Sequence, residues 1–574
     1  MIPAAASAYC INSSIEAAPN AYNGGPLKQI FAIIAAVLLM QSESLAAGFA
    51  AMAAALIVAA PAAFAGNKDW PSYNRTLTSD RYANLEAIDT KNVTALKVLC
   101  SFDTGEQISF QTGLVQVDGA LFATTDRDTF SIDPNNCKLN WRTHEDFAAG
   151  DLKVNRGPAW FDHRVFRGTA DGSVIAYDAK NGKRLWSTVI ADAAKGESVP
   201  AAPIAWEGLV FIGNAGGDNK GVKGRMYALD EKDGHIVWEF YLVPKAPGDV
   251  ARGPAGADPG SRTASSWKNV KGFPITGGAT WTSYSLDPTT GLLFVPAGNP
   301  APDFIKETRP GENLFASSIV ILDAKTGAYR RHFQLVRGDF HDWDVSSAPA
   351  LFLNRKGHRM LAEAPKDGHL YLIDLTSGRL AYRKPVTTVA NVEAPLSASG
   401  TRFCPGAQGG AEWNGAAFDP AENLIFTGEV DWCTTVHAVT ANSLQRAPMA
   451  KPWSGATPDF GAQDDPKLWS GWLTATDADT GERKWQFHAP YPLLGGVTPT
   501  TGRLLLFGDM GGNFYAFDAG SGKKLWSIDL GGAIGGGVIT YDTGVGQKIA
   551  VAAGMTSPIW PTPKVNGKIL ILGL

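Results

Sequence analysis

The stretch GSVIAYDAKNGKRLW, from Gly172 to Trp186, returns as GRMYALDEKDGHIVW from Gly224 and as GNFYAFDAGSGKKLW from Gly512. In each copy an Asp (Asp178, Asp230, Asp518) is followed four residues later by Gly and eight later by Trp (Trp186, Trp238, Trp526). Asp477, Gly481 and Trp485 repeat the pattern, and Asp374, Gly378 and Tyr382 place Tyr in the last slot. Asp133 has its Trp141, but Cys137 stands where the others have Gly. Alternating apolar residues that end at Asp, a Gly that permits positive φ and an aromatic that re-enters the core describe a strand, a tight turn and a second strand.

One such hairpin leaves an apolar face uncovered, so copies must stack on one another. The Asp positions 133, 178, 230, 323, 374, 477 and 518 are separated by roughly 40 to 50 residues or by twice that, the length of a four-stranded blade. Filling the doubled gaps gives about eight units, and the expected fold is all-β, an eight-bladed β-propeller with Trp-docking blade repeats. The repeated Trp residues are then structural. We expect one domain over 66–574. The segments 245–275, 385–410 and 445–468 are longer than hairpins need and are expected to wall the mouth of the central channel.

Composition agrees with a large globular core: 45% of the 574 residues are apolar and 18% charged, which excludes disordered and collagenous classes. A formal net charge of -4 offers no electrostatic reason to bind nucleic acid. Residues 1–65 contain two apolar tracts, and the second ends in Ala63-Phe64-Ala65 before Gly66, a small-x-small pattern that predicts a cleaved export signal. The tract is Ala-rich and too weakly hydrophobic for a permanent membrane span. None of the five Cys lies in C-x-x-C-H, so this chain carries no covalent c-type haem motif. With Cys10 in the leader, Cys100, Cys137, Cys404 and Cys433 remain, and an exported protein is expected to form two disulfides, with three connectivities open.

A second stretch carries chemistry. GGATW ends at Trp281, AGNPAP contains Asn299, and HDWD ends at Asp344. An aromatic plate, a neutral oxygen ligand and a carboxylate beside a Trp suit one pocket for a flat polar redox cofactor and a hard cation. In this order and spacing the three motifs resemble the pyrroloquinoline quinone (PQQ) dependent alcohol dehydrogenases, and the resemblance extends from about Asn67 to the end of the chain.

The resemblance implies roles residue by residue. Asn299 matches a calcium ligand, although an Asn between Gly298 and Pro300 would by itself read as a turn residue bonding its own backbone. Asp218, in GNAGGDNKGVKG, matches a second ligand that is Glu in the best-known members, and Lys220 is an insertion in that loop. Trp281 matches the Trp that stacks on the quinone, Arg156 an Arg that pairs with a cofactor carboxylate, and Lys366 the basic residue at the quinone oxygens. Gln111 falls where the family often has Glu, and Glu412 at a further cofactor contact, with Asn414 a weaker candidate. Asp344 matches the catalytic base and a third metal ligand, and Asp342 is its nearby competitor.

Two departures concern the lid and the substrate pocket: Ala149-Gly150 replaces an adjacent Cys pair, and Leu494 replaces a Trp found in some members. Ser346 stands where lanthanide-using members have an additional Asp, which points to calcium. Pairing Cys100 with Cys137 and Cys404 with Cys433 is the simplest connectivity, and the resemblance supports the second pair. The resulting expectation is a periplasmic quinoprotein that oxidises an alcohol to an aldehyde or ketone with PQQ and calcium. Electrons would leave to a separate carrier, a soluble cytochrome c. The alternatives are a quinoprotein acting on sugars or polyols, and a cofactor-free propeller scaffold.

Overall fold

The alternating apolar runs pair as antiparallel strands, and among the described residues they build eight four-stranded sheets. The computed structural model describes residues 68–147, 152–254 and 260–574. The predicted leader with Cys10, and the Ala149-Gly150 pair, lie outside the described residues. Lys68–Leu574 forms one compact unit. The first sheet runs in chain order through Val115–Val117, Ala120–Thr124, Asp128–Ile132 and Leu139–His144. Six more follow the same plan. The last sheet takes three strands from the C-terminus and its fourth, Lys97–Asp103, from near the start of the unit, paired antiparallel with Lys568–Gly573.

Leading strands of successive sheets lie side by side. Val115–Val117 touches Ala159–Phe161, which touches Ile204–Trp206, and the series Ser285–Asp287, Ala350–Leu353, Ala417–Asp419, Thr498–Pro499 and Val538–Asp542 continues in the same way. The core is divided among the spaces between sheets. Phe426 and Leu473 of one sheet pack with Leu505 and Phe517 of the next. Leu121 and Ile132 of the first sheet pack with Ile539 and Ile571 of the last, so the series of clusters returns to its start.

The repeat's turn explains its composition. Gly182 N–H donates to the Asp178 carbonyl, Asp178 N–H donates to the Lys183 carbonyl, and the Asp178 carboxylate accepts from the N–H groups of Lys180 and Asn181. Gly182 has φ +71°, and a Cβ there would stand 2.5 Å from the ring of Trp141 in the preceding sheet. Gly234 faces Trp186 in the same way, Gly327 faces Trp238, and Gly522 faces Trp485. The indole N–H groups of Trp141, Trp186, Trp238 and Trp485 donate to the carbonyls of Ala179, Glu231, Ala324 and Ala519, each the residue after a turn Asp.

Cys137 breaks the repeat and has φ +60° in the Gly position. Its partner is Cys100, on the strand that closes the last sheet. A covalent bond thus stands at the closing seam where four other seams have Trp against Gly, while Gly378 faces Arg331 and Gly481 faces Tyr382. The second disulfide joins Cys404 to Cys433. Both expected pairs are present. The predicted long segments 385–410 and 445–468 contribute Thr401–Phe403 and Ala462–Gln463 to a three-stranded sheet whose middle strand, Thr434–Val436, lies outside them, and the short helix Ala441–Arg446 leads into the second of these segments. No helix among the described residues is long and apolar enough to cross a membrane.

Gly234→Ala places a methyl group 2.4 Å from the Trp186 ring on a backbone with φ +76°. Strain and displaced packing should cost about 2–3 kcal/mol. A lower denaturation midpoint with unchanged Michaelis constant is the expected result.

Candidate active site

All eight side chains singled out from the sequence, Gln111, Arg156, Asp218, Trp281, Asn299, Asp344, Lys366 and Glu412, line one cavity of about 400 Å³. They come from loops of several different sheets, which is why no local pattern could assemble them. Trp281 presents its ring to the cavity, with the Arg156 guanidinium 4.4 Å and the Lys366 ammonium 5.6 Å from its centroid. Arg156 Nη1 donates to the Trp281 carbonyl, and its Nε has no partner among the described residues. Burial lowers the Arg156 guanidinium to about 10, against the pull of Tyr73 and Glu412.

The carboxylates gather around Lys366. Its Nζ lies 2.8 Å from Asp344 Oδ2 and 3.3 Å from Asp342 Oδ2. Burial opposes a charge on Lys366, but Asp342 and Asp344 outweigh it and hold the ammonium protonated. Asp344 Oδ1 accepts from the Asn299 N–H at 2.9 Å, and the Asn299 Nδ2 donates to Asp303 Oδ1 at 2.9 Å. Asn299 therefore does not bond its own backbone as a free turn Asn would. Burial raises Asp218 to about 6, with Asp344 adding repulsion, and raises Glu412 to about 7 despite Lys366.

Local backbone explains the precision. Gly298 allows Asp344 to approach, because a Cβ there would stand 2.5 Å from Asp344 Oδ1. Gly409, φ +74°, leaves room for the stem of Lys366, which a Cβ would meet at 2.5 Å. In the HDWD stretch the Asp339 carboxylate accepts from His341 and Trp343 N–H, and the His341 ring stacks on Trp343 at 4.0 Å. Lys220 ties two loops together. Its Nζ donates to the carbonyls of Leu444, Gln445 and Ala447, which caps Ala441–Arg446 and anchors the Asp218 loop to it.

Asn414 does not line the cavity. It accepts from the Tyr73 hydroxyl and donates to the Leu494 carbonyl. Leu494 is buried in an apolar cluster with Trp413, Trp432, Trp469 and Trp560, on which Trp281 also packs. Sequence reasoning missed Trp560, Phe460 and Gln408 as cavity residues, and Asp303 as a buried acid beside Asn299. Asp303 follows Asn299 by four residues, and that spacing was its only signal.

The cavity's donor set is an aromatic plate flanked by two cations and the acids Asp218, Asp342, Asp344 and Glu412, groups able to hold a flat polar molecule and a hard cation. The family model of the glucose/ethanol/alcohol dehydrogenase β-propeller domain matches residues 70–395, and that of the outer membrane protein assembly factor BamB matches 470–557. The chain is similar to the quinohemoprotein alcohol dehydrogenase ADH IIB of Pseudomonas putida, 30% identical over 85% of this chain and 73% of that one. It is 28% identical to the lanthanide-dependent methanol dehydrogenase of Methylacidiphilum fumariolicum, over 85% of this chain and 84% of the relative. A solved europium-containing methanol dehydrogenase superposes with a TM-score of 0.77 at 26% identity, over 89% of this chain and 99% of that one. The chain belongs to the PQQ-dependent alcohol dehydrogenases, oxidoreductases with a β-propeller domain.

Close to this pocket, Ser347 Oγ donates to Glu363 Oε1 at 2.7 Å, and Glu363 Oε2 has no partner among the described residues. Burial pushes the Glu363 carboxyl from its ordinary 4.5 to about 8. The folded state binds this proton more tightly than the unfolded state, so the stabilisation is complete below about pH 4.5 and is lost as pH rises through about 8. Glu363→Gln keeps the Ser347 bond without the charge. Its denaturation midpoint should match the wild type at pH 5 and exceed it at pH 9.

Proposed function

We propose that this protein is a periplasmic quinoprotein dehydrogenase that oxidises an alcohol to an aldehyde or ketone, with PQQ and calcium as its cofactors. The observation that carries the reading is the convergence of Trp281, Arg156, Lys366, Asn299, Asp218 and Asp344 on one cavity. Orphaned buried polar atoms also fit a bound polar group: Gln111 Oε1, Arg156 Nε and Asp342 Oδ1 all lack partners among the described residues, which is costly in a site with nothing to bind. The residues present fit both groups.

When bound, PQQ supplies a two-electron acceptor and the cation polarises its quinone oxygen. The chain supplies the rest. Trp281 offers a flat face for stacking, and Arg156 and Lys366 supply charge for cofactor carboxylates and quinone oxygens. Gln111 and Glu412 would add polar contacts to the cofactor from the same cavity. Asp218, Asn299 and Asp344 supply oxygens for a hard cation. Asp344, paired with Lys366 at 2.8 Å, takes the hydroxyl proton of the alcohol. Ser346 donates its Oγ to the Ala411 carbonyl and adds no charge to the site, which favours a divalent ion, calcium.

In the same reading each sheet is one blade of an eight-bladed propeller, and the Trp contacts dock neighbouring blades. The boundaries 1–65 for the export signal and 66–574 for the single domain go with it. Two disulfides support an oxidising compartment. Without a C-x-x-C-H motif in this chain, electrons pass to a separate carrier, a soluble cytochrome c. Sugars or polyols remain the second substrate class, since they use the same site residues.

Reconstitution with PQQ and calcium, followed by a screen of primary, secondary and polymeric alcohols and aldoses with an artificial electron acceptor, tests the reading. Activity on an alcohol is expected. Quinone absorbance and turnover both absent would leave the scaffold alternative. Asp344→Asn should retain PQQ and lose turnover by at least about a hundredfold, because an amide cannot take the proton. Turnover equal to wild type would move the base to another residue, with Asp342 the next to test.

A further inference from the structure

We infer that Asp303 and Asp342 are additional ligands of the cation, beyond Asp218, Asn299 and Asp344. The inference rests on the proposed reading that a cation occupies this pocket. Carboxylate oxygens of Asp218, Asp303 and Asp342 all lie within 4.8 Å of one another. Oxygens bound to one calcium ion at about 2.3–2.6 Å are separated by at most about 4.6–5.2 Å, so a single ion can span the three.

Their bonding leaves them poised for an ion. Asp303 is fully buried, its Oδ1 accepts from Asn299 Nδ2, and its Oδ2 has no partner among the described residues. Asp342 is 3% exposed, its Oδ2 faces Lys366, and its Oδ1 has no partner among the described residues. Two unpartnered oxygens on separate buried acids, inside one ligand-sized cluster, are expensive unless a cation satisfies them. The nearby Arg309 does not do so. Its N–H groups go to the carbonyls of Pro302, Asp303 and Asp339 and to Asn313 Oδ1.

Arg309 instead places both ligands. It grips the backbone at Asp303 and at Asp339, and the Asp339 carboxylate in turn fixes the N–H groups of His341 and Trp343 on either side of Asp342. Asp342 itself is held at φ +66°, a conformation that non-Gly residues adopt seldom and that is retained here by these flanking bonds. A buried guanidinium that ties two acid-bearing loops together, without a hydrogen bond to either carboxylate, suits a cation site.

A ligand can be told from a merely structural acid by ion charge. Each carboxylate's Coulomb attraction scales with the charge of the ion, so removing one should cost about tenfold in affinity for a divalent ion and about thirtyfold for a trivalent one. The experiment titrates chelator-stripped wild type, Asp303→Asn and Asp342→Asn with calcium chloride by calorimetry and with terbium chloride by Trp-sensitised luminescence, after circular dichroism confirms folding. The expected result is weaker binding of both ions by each variant, with terbium losing more than calcium. Wild-type affinity in both variants, or an equal loss for the two ions, overturns the inference. If Asp303→Asn does not fold, Asp342→Asn carries the comparison. Wild type that binds neither ion overturns the cation reading itself, and the added ligands with it.

Discussion

A bare glycine face against an indole is the contact on which the architecture depends. At Gly182, Gly234, Gly327 and Gly522 the chain needs a positive φ to turn back on itself, and the preceding sheet needs that same surface free of a side chain for its Trp. The indole N–H then finds the carbonyl beside the turn Asp, so each seam is fixed in register by a hydrogen bond as well as by area. Sheets alone could slide over one another. At these four turns the Trp–Gly contact and the indole hydrogen bond give each sheet a specific point of contact with the next.

The closing seam uses a different device for the same geometry. Cys137 occupies a Gly position in the first sheet and Cys100 lies on the strand that completes the last sheet, so the first and last sheets are held by a covalent bond. The distant ends of the chain meet in the ladder of Lys97–Asp103 with Lys568–Gly573, and the cross-link, 37 residues apart in sequence, ties that shared sheet to the first one. The site depends on that closure. Gln111 and Arg156, near the start, must face Asp344 and Glu412 across the cavity.

The cavity concentrates acids around Lys366, and the balance of charge there is what the surrounding backbone protects. Lys366 is paired with Asp342 and Asp344, and Asp218 and Asp303 cluster with Asp342. Buried carboxylates at such spacing repel each other unless protons or cations intervene. Arg309, Asp339 and Lys220 make none of their hydrogen bonds to these carboxylates and so set positions while leaving the carboxylate oxygens open.

Local chemistry was enough to read the turns. An Asp that caps its own hairpin, a Gly four residues on and an aromatic at eight are constraints within one unit, and repetition at blade length followed from the need of each unit to cover its neighbour. Both disulfide pairs and the eight cavity residues were also legible, the latter through motifs that resemble a known family. Asp303 and the capping role of Lys220 were not. Asp303 reads in sequence as a loop acid after a proline, and Lys220 as an insertion of unknown purpose. Their roles arise only when loops from separate sheets meet, because burial, the partner of each oxygen and the separation between carboxylates are properties of the closed ring and of no single segment.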